Sequence, residues 1–156
     1  MTTVVLPGRA GSLREHRLSP PRAWETGPFG SRVAFAAAHV VADPFGGNVP
    51  GAPAALDWDA TLAYRVRLWE HGFGVAEAMD TAQRGMGLDW GTALELIRRS
   101  ASIATGRLAA GVGTDHDTAD PLTAYREQLA AVVEAGAQPI LMCSRKLAAQ
   151  ARGPED

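Results

Sequence analysis

Three aspartates, Asp57, Asp89 and Asp120, each stand at the head of a segment with helical apolar periodicity, and they are spaced 32 and 31 residues apart. The tripeptide "LDW" occurs at 56–58 and again at 88–90. An aspartate just before a helix accepts the free N–H groups of the first turn, so each one marks a helix start. The apolar stripes that follow are Trp58, Leu62, Val66 and Trp69 in the first segment, Trp90, Leu94, Ile97 and Ala101 in the second, and Tyr125, Leu129 and Val132 in the third, which opens on Pro121. Gly72, Gly106 and Gly136 follow the three segments.

Between these helices lie short apolar runs: "RVAFAAAHVVA", "FGVAEAMD", "RLAAGVG" and "AQPILMC". They predict four strands, at about 33–42, 74–80, 107–113 and 138–143. A recurring strand-helix unit builds a parallel α/β sheet with right-handed crossovers. Two architectures satisfy it: an open doubly wound sheet, or part of a (β/α)8 TIM barrel. A whole barrel takes about 250 residues, so four strand-helix units correspond to half of one. Either way the fold class is α/β; strands in sequential order with helices on one side would mark the half-barrel, and an order such as 2-1-3-4 the open sheet.

Residues 1–32 differ in character, being rich in Pro, Gly and Arg. "TTVVLP" and "SLREHRLS" flank the turn-forming "GRAG" and predict a small hairpin followed by an irregular lead-in. The barrel-like domain then occupies 33–156.

Charge and cysteine usage narrow the function classes. Fifteen basic and seventeen acidic residues give a net charge of -2, without a Lys/Arg run able to track nucleic acid or an anionic membrane. Cys143 is the only cysteine and reads as a small core hydrophobe. With no signal-peptide pattern and no apolar run of membrane-spanning length, a cytoplasmic protein is expected. Lys146 is the only lysine, the other fourteen basic residues being arginine.

In parallel α/β folds ligands sit at the carboxyl ends of the strands. The groups leaving those ends are Asp43, Asp80 with Thr81, Asp115 with His116 and Asp117, and Ser144 through Lys146. Glu77 lies inside an apolar strand, where a carboxylate must reach a polar lumen or an ion-pair partner. His39, among apolar residues, reads as a hydrogen-bonded core histidine ahead of a ligand. Together with Glu77, Asp80, Asp115 and His116 it also forms the one set from which a divalent-metal site could be built, though without fixed ligand spacing.

Several of these stretches resemble the dihydrodipicolinate synthase and N-acetylneuraminate lyase family. "ADPF" is similar to the Thr-Pro-Phe leaving that family's first barrel strand, and "DTAQRGMGL" to its Gly-Thr-Thr-Gly-Glu loop. "AAGVGT" resembles its third strand, and "EAGAQPILM" its third helix ending and fourth strand. "RVAFAAAHVVADPF" and "HGFGVAEAMDTAQRGMGLDW" look like a little-characterised actinobacterial branch of the same family. The resemblance, to the first half of a family member, implies the N-terminal half of a (β/α)8 TIM barrel from an aldolase-like carbon–carbon lyase acting on 2-keto acids through a Schiff base, with no metal or other cofactor. It places Thr81 in a catalytic relay and Thr114 near the substrate, and Asp43, Glu77, Asp80 and Asp115 join them as candidate substrate-binding residues by their place in or at the ends of the strands. Departures accompany it: Ala82 and Arg84 replace a threonine and an acid, and Ser144 and Arg145 replace an aromatic pair. The relay tyrosine and the Schiff-base lysine of the family fall beyond residue 156, which implies a chain inactive alone that self-associates or binds a complementary half. Lys146 is then the only lysine available for imine chemistry, although a solvated surface lysine is the plainer reading. A non-enzymatic incomplete module and a metal-dependent lyase or isomerase are the alternatives.

Overall fold

The computed structural model describes residues 2–23, 25, 27–28, 30–49, 52–79, 84–116 and 120–153. Strands β1 (Thr3–Pro7) and β2 (Leu13–Arg17) pair antiparallel as the expected hairpin. The body follows as β3 (Phe35–Ala37), α1 (Trp58–Glu70), β4 (Gly74–Glu77), α2 (Trp90–Ile103), β5 (Leu108–Val112), α3 (Pro121–Glu134), β6 (Gln138–Leu141) and α4 (Arg145–Gln150). The four body strands are parallel and lie in the order β3-β4-β5-β6. Sequential order is that of a barrel segment; a doubly wound sheet reverses direction at a switch point.

The three aspartates cap as the spacing predicts. Asp57 accepts from Ala60 N–H, Asp89 from Thr92 N–H, and Asp120 from Leu122 and Thr123 N–H. Gly72 and Gly136 adopt φ of 83° and 82°, the left-handed conformation that closes α1 and α3. Gly106 serves packing instead: a Cβ there would stand 2.8 Å from Cδ1 of Trp69.

Register fixes the faces. Val75 pairs with Leu108 and Glu77 with Ala110, so these residues share one face of the sheet. Val75, Leu108, Ala110 and Val112 join Trp69, Leu96, Ile97 and Val132 of the helices in the core. The opposite face carries Ala37, Ala76, Ala109 and Gly111, small side chains suited to the inside of a curved sheet. Phe35 covers Gly74, where a Cβ would stand 2.6 Å from its ring.

The helices bury much of the expected stripes, with Trp69, Ile97 and Val132 in the core and Trp58, Val66, Trp90, Ala101 and Tyr125 packed against it, but polar residues share the buried faces. α1 buries Thr61, Arg65 and Trp69, α2 buries Ala93, Leu96, Ile97 and Ser100, and α3 buries Pro121, Ala124, Gln128 and Val132. Leu129, expected inside, is exposed. Each helix also buries a polar residue beside its apolar stripe, because a buried polar group of the sheet or its loops requires a partner there.

All four body strands are shorter than predicted, β3 and β4 by the most. β3 stops at Ala37 because the next carbonyls, of Ala38 and His39, accept from Arg65, while Val41 exchanges hydrogen bonds with the Thr61 hydroxyl. β4 stops at Glu77 because Ala78 turns to φ 51°. Among the described residues no helix is long and apolar enough to cross a membrane.

Candidate functional site at the carboxyl ends of β5 and β6

A cavity of about 300 Å³ opens where β5 and β6 end, between Gly113–Asp115 on one side and Met142–Lys146 on the other, with Arg84 and Gly85 at its wall. The small residues at this end create the space. Gly111 admits the Ala78 carbonyl and the Met142 sulfur where a Cβ would stand 2.6 and 2.8 Å from them.

Arg84 anchors one wall. Its Nε donates to Asp115 Oδ2 at 2.6 Å, its Nη2 to Asp115 Oδ1 and to Gln128 Oε1, and its Nη1 to the Gly111 carbonyl at 2.8 Å. The guanidinium also lies 5.0 Å from the centroid of the Trp90 ring. This pairing neutralises Asp115 and pins the segment leaving β5 to the segment preceding α2.

Gln128 organises the same wall from behind. Its Oε1 accepts from Gly113 N–H at 2.7 Å as well as from Arg84, and these two donors fix the amide's orientation. Nε2 must therefore be the donor toward Asp115 Oδ1 (2.9 Å) and toward Nδ1 of His116 (2.8 Å). His116 thus carries its proton on Nε2, which meets Glu127 Oε2 at 2.9 Å.

The other wall is hydroxylic. Thr114 Oγ1 and Ser144 Oγ stand 2.5 Å apart, and Ser144 Oγ also accepts from Leu147 N–H as the cap of α4. Tyr125 lies beside them, its hydroxyl donating to the Met142 carbonyl. Burial pushes the Tyr125 phenol above its ordinary value of 10.0, Cys143 adds to the rise, and a hydrogen bond with Ser144 partly offsets it. Lys146 Nζ donates to the His116 carbonyl at 3.1 Å, so the sole lysine spans the mouth.

Of the residues singled out in the sequence, Thr114, Asp115 and Lys146 meet at this cavity. Asp80 and Thr81 lie outside the described residues. Asp43 is elsewhere, its Oδ1 accepting from Phe45 N–H in a local turn. Glu77 faces the helices, where Arg65 and Ser100 occupy both carboxylate oxygens. Two expectations about packing are overturned. His39 is exposed because its strand has already ended, and Cys143 is exposed at the cavity because β6 ends two residues before it. Among the described residues no three His, Cys, Asp or Glu side chains form a metal-binding group.

Arg84, Gln128 and Tyr125 are the site residues that sequence reasoning missed. Gln128 left a trace, a polar residue midway between Ala124 and Val132 in the buried row of α3. Arg84 appeared only as a replacement for an acid.

Comparison with known proteins adds one match. A family model described as "Protein of unknown function (DUF993)" covers residues 4–156. No curated protein matches the chain.

Proposed function

The chain belongs to the DUF993 family of proteins of unknown function, and from the cavity between β5 and β6 we propose that it binds a small 2-keto acid as one portion of an aldolase-like (β/α)8 lyase. One observation carries the reading: paired hydroxyls on the wall, Thr114 and Ser144, face a mouth bearing Arg145 and Lys146 at adjoining strand ends. Hydroxyls suit a ligand's carbonyl oxygen and cations its carboxylate. The Arg84–Asp115 pair neutralises the wall's acid, which favours an anionic guest. The singly wound strand order supports the barrel-like parentage, and the open edges of β3 and β6 support association with a complementary half. An exposed single thiol suits a reducing, cytoplasmic setting.

Titration of the 15N-labelled chain with pyruvate, against acetate and lactate, tests the reading. Saturable shifts at Gly113, Thr114 and Ser144, strongest for the keto acid and lost in Thr114→Val and Lys146→Met, are expected. Shifts absent, or equal for all three acids, overturn it.

A second reading, binding without turnover, is favoured by a specific observation. The hydrogen-bonding nitrogens of His116 are both engaged, one by Gln128 and one by Glu127, which leaves it no free position for a substrate proton.

A further inference from the structure

We propose that the N-terminal hairpin is an exchange arm, which docks on the outer face of α3 in a second copy of the chain. The proposal does not depend on the keto-acid reading. A two-stranded hairpin is marginal in water unless something covers it. Among the described residues none covers it: of the ten strand residues of β1 and β2 only Val4 is even partly buried. Register places Val5, Leu13, Glu15 and Arg17 on one face of the arm, with Leu13 73% and Val5 59% exposed.

α3 offers a complementary strip. Leu122, Arg126, Leu129 and Val133 recur at helical spacing on one line, away from the buried row of Ala124, Gln128 and Val132, and Leu122 and Val133 are 51% and 57% exposed. The two patterns match in order. Along the arm the cross-strand rows on this face are Leu13 with Pro7, then Glu15 with Val5, then Arg17 with Thr3, in steps of about 7 Å. Along α3, from its C-terminal end, it is apolar (Val133 with Leu129), then Arg126, then Leu122 about 6 Å further on, with Asp120 just beyond it at the cap. Leu13 then meets Leu129 and Val133, Glu15 meets Arg126, and Arg17 lays its apolar stem along Leu122 with its head toward Asp120.

Charge selects a second copy as the occupant. Residues 2–23 hold four arginines against one glutamate, whereas the residues after 23 hold eleven basic against sixteen acidic side chains. A basic arm and an acidic body attract each other between copies, and a two-fold arrangement satisfies both arms with the same contact made twice.

Sedimentation velocity of the full 156-residue chain across a wide concentration range tests it. A dimer is expected, weakened about tenfold or more by Leu13→Glu or by Val133→Glu. Glu15→Arg and Arg126→Glu should each weaken it and the double variant restore it. Because all these positions are on the surface, circular dichroism should be unchanged. A monomer at every concentration overturns the proposal, as does a dimer indifferent to Leu13→Glu or a charge swap without rescue.

Discussion

Arg65 grips Glu77 through two parallel hydrogen bonds, Nε to Oε2 at 2.9 Å and Nη2 to Oε1 at 2.8 Å, and solvent reaches neither side chain. The pair joins α1 to β4, and Ser100 from α2 adds a third bond at 2.7 Å. Removing one partner of a buried pair strands the other charge, at a cost of about 3–5 kcal/mol, whereas replacing both with apolar residues is far milder. Arg65→Met should therefore lower unfolding free energy by about that amount, and Arg65→Met with Glu77→Leu should recover at least half of the loss. Urea denaturation measures both. A double variant as unstable as the single one would assign the cost to the carbonyls of Ala38 and His39, which Arg65 also serves.

The same pair shows where sequence reading stops. Periodicity found the helices because Asp57, Asp89 and Asp120 announce their starts by local chemistry, and those bonds form within three residues. It missed the polar members of the buried faces because Arg65, Ser100 and Gln128 satisfy groups distant in sequence, which no local pattern encodes. Thr114, Asp115 and Lys146 were legible as residues leaving strand ends. Arg84 was not, since its value lies in reaching Asp115 across 31 positions of chain.

Asp89 gives the capping prediction a pH sign. Burial raises its pKa, but hydrogen bonds from the Thr92 backbone and hydroxyl outweigh that and hold it below its ordinary 3.8. A folded value below the unfolded one means stability present above about pH 4 and lost as pH falls through the depressed value. Asp89→Ala should cost about 1 kcal/mol at neutral pH. Asp89→Asn keeps a capping oxygen without the charge, so its deficit relative to the parent should shrink as the solution is acidified below that point. A deficit that stays constant down to the acid limit would remove the charge from the explanation.

Gln128 tests the wall of the cavity. Gln128→Leu leaves the Gly113 N–H and one Arg84 N–H without their acceptor, and a buried orphaned donor costs about 1–3 kcal/mol. Nitrogen chemical shifts of His116 report the other consequence. The parent should show the imidazole with its proton on Nε2, held there by the Gln128 amide, and the variant should show a mixture of the two forms. A parent already mixed would mean that the amide does not set the imidazole's state.

Lys146 decides whether the chain can hold a keto acid covalently. An imine forms when an uncharged amine adds to the ketone and water leaves; borohydride then delivers hydride to the C=N carbon and leaves a stable secondary amine. The chain has one lysine side chain for this step. Lysine nucleophiles depend on desolvation of the amine, by burial or a tightly apolar surround. Lys146 is exposed and donates to the His116 carbonyl at 3.1 Å, with Arg145 as its neighbour. The expected outcome is therefore no specific adduct with pyruvate. Mass spectrometry of the reduced mixture, set against Lys146→Arg to discount the N-terminal amine, reads it directly. An adduct present in the parent and lost in the variant would make this cavity a catalytic one, with the hydroxyls of Thr114 and Ser144 placed to serve the carbinolamine's departing oxygen.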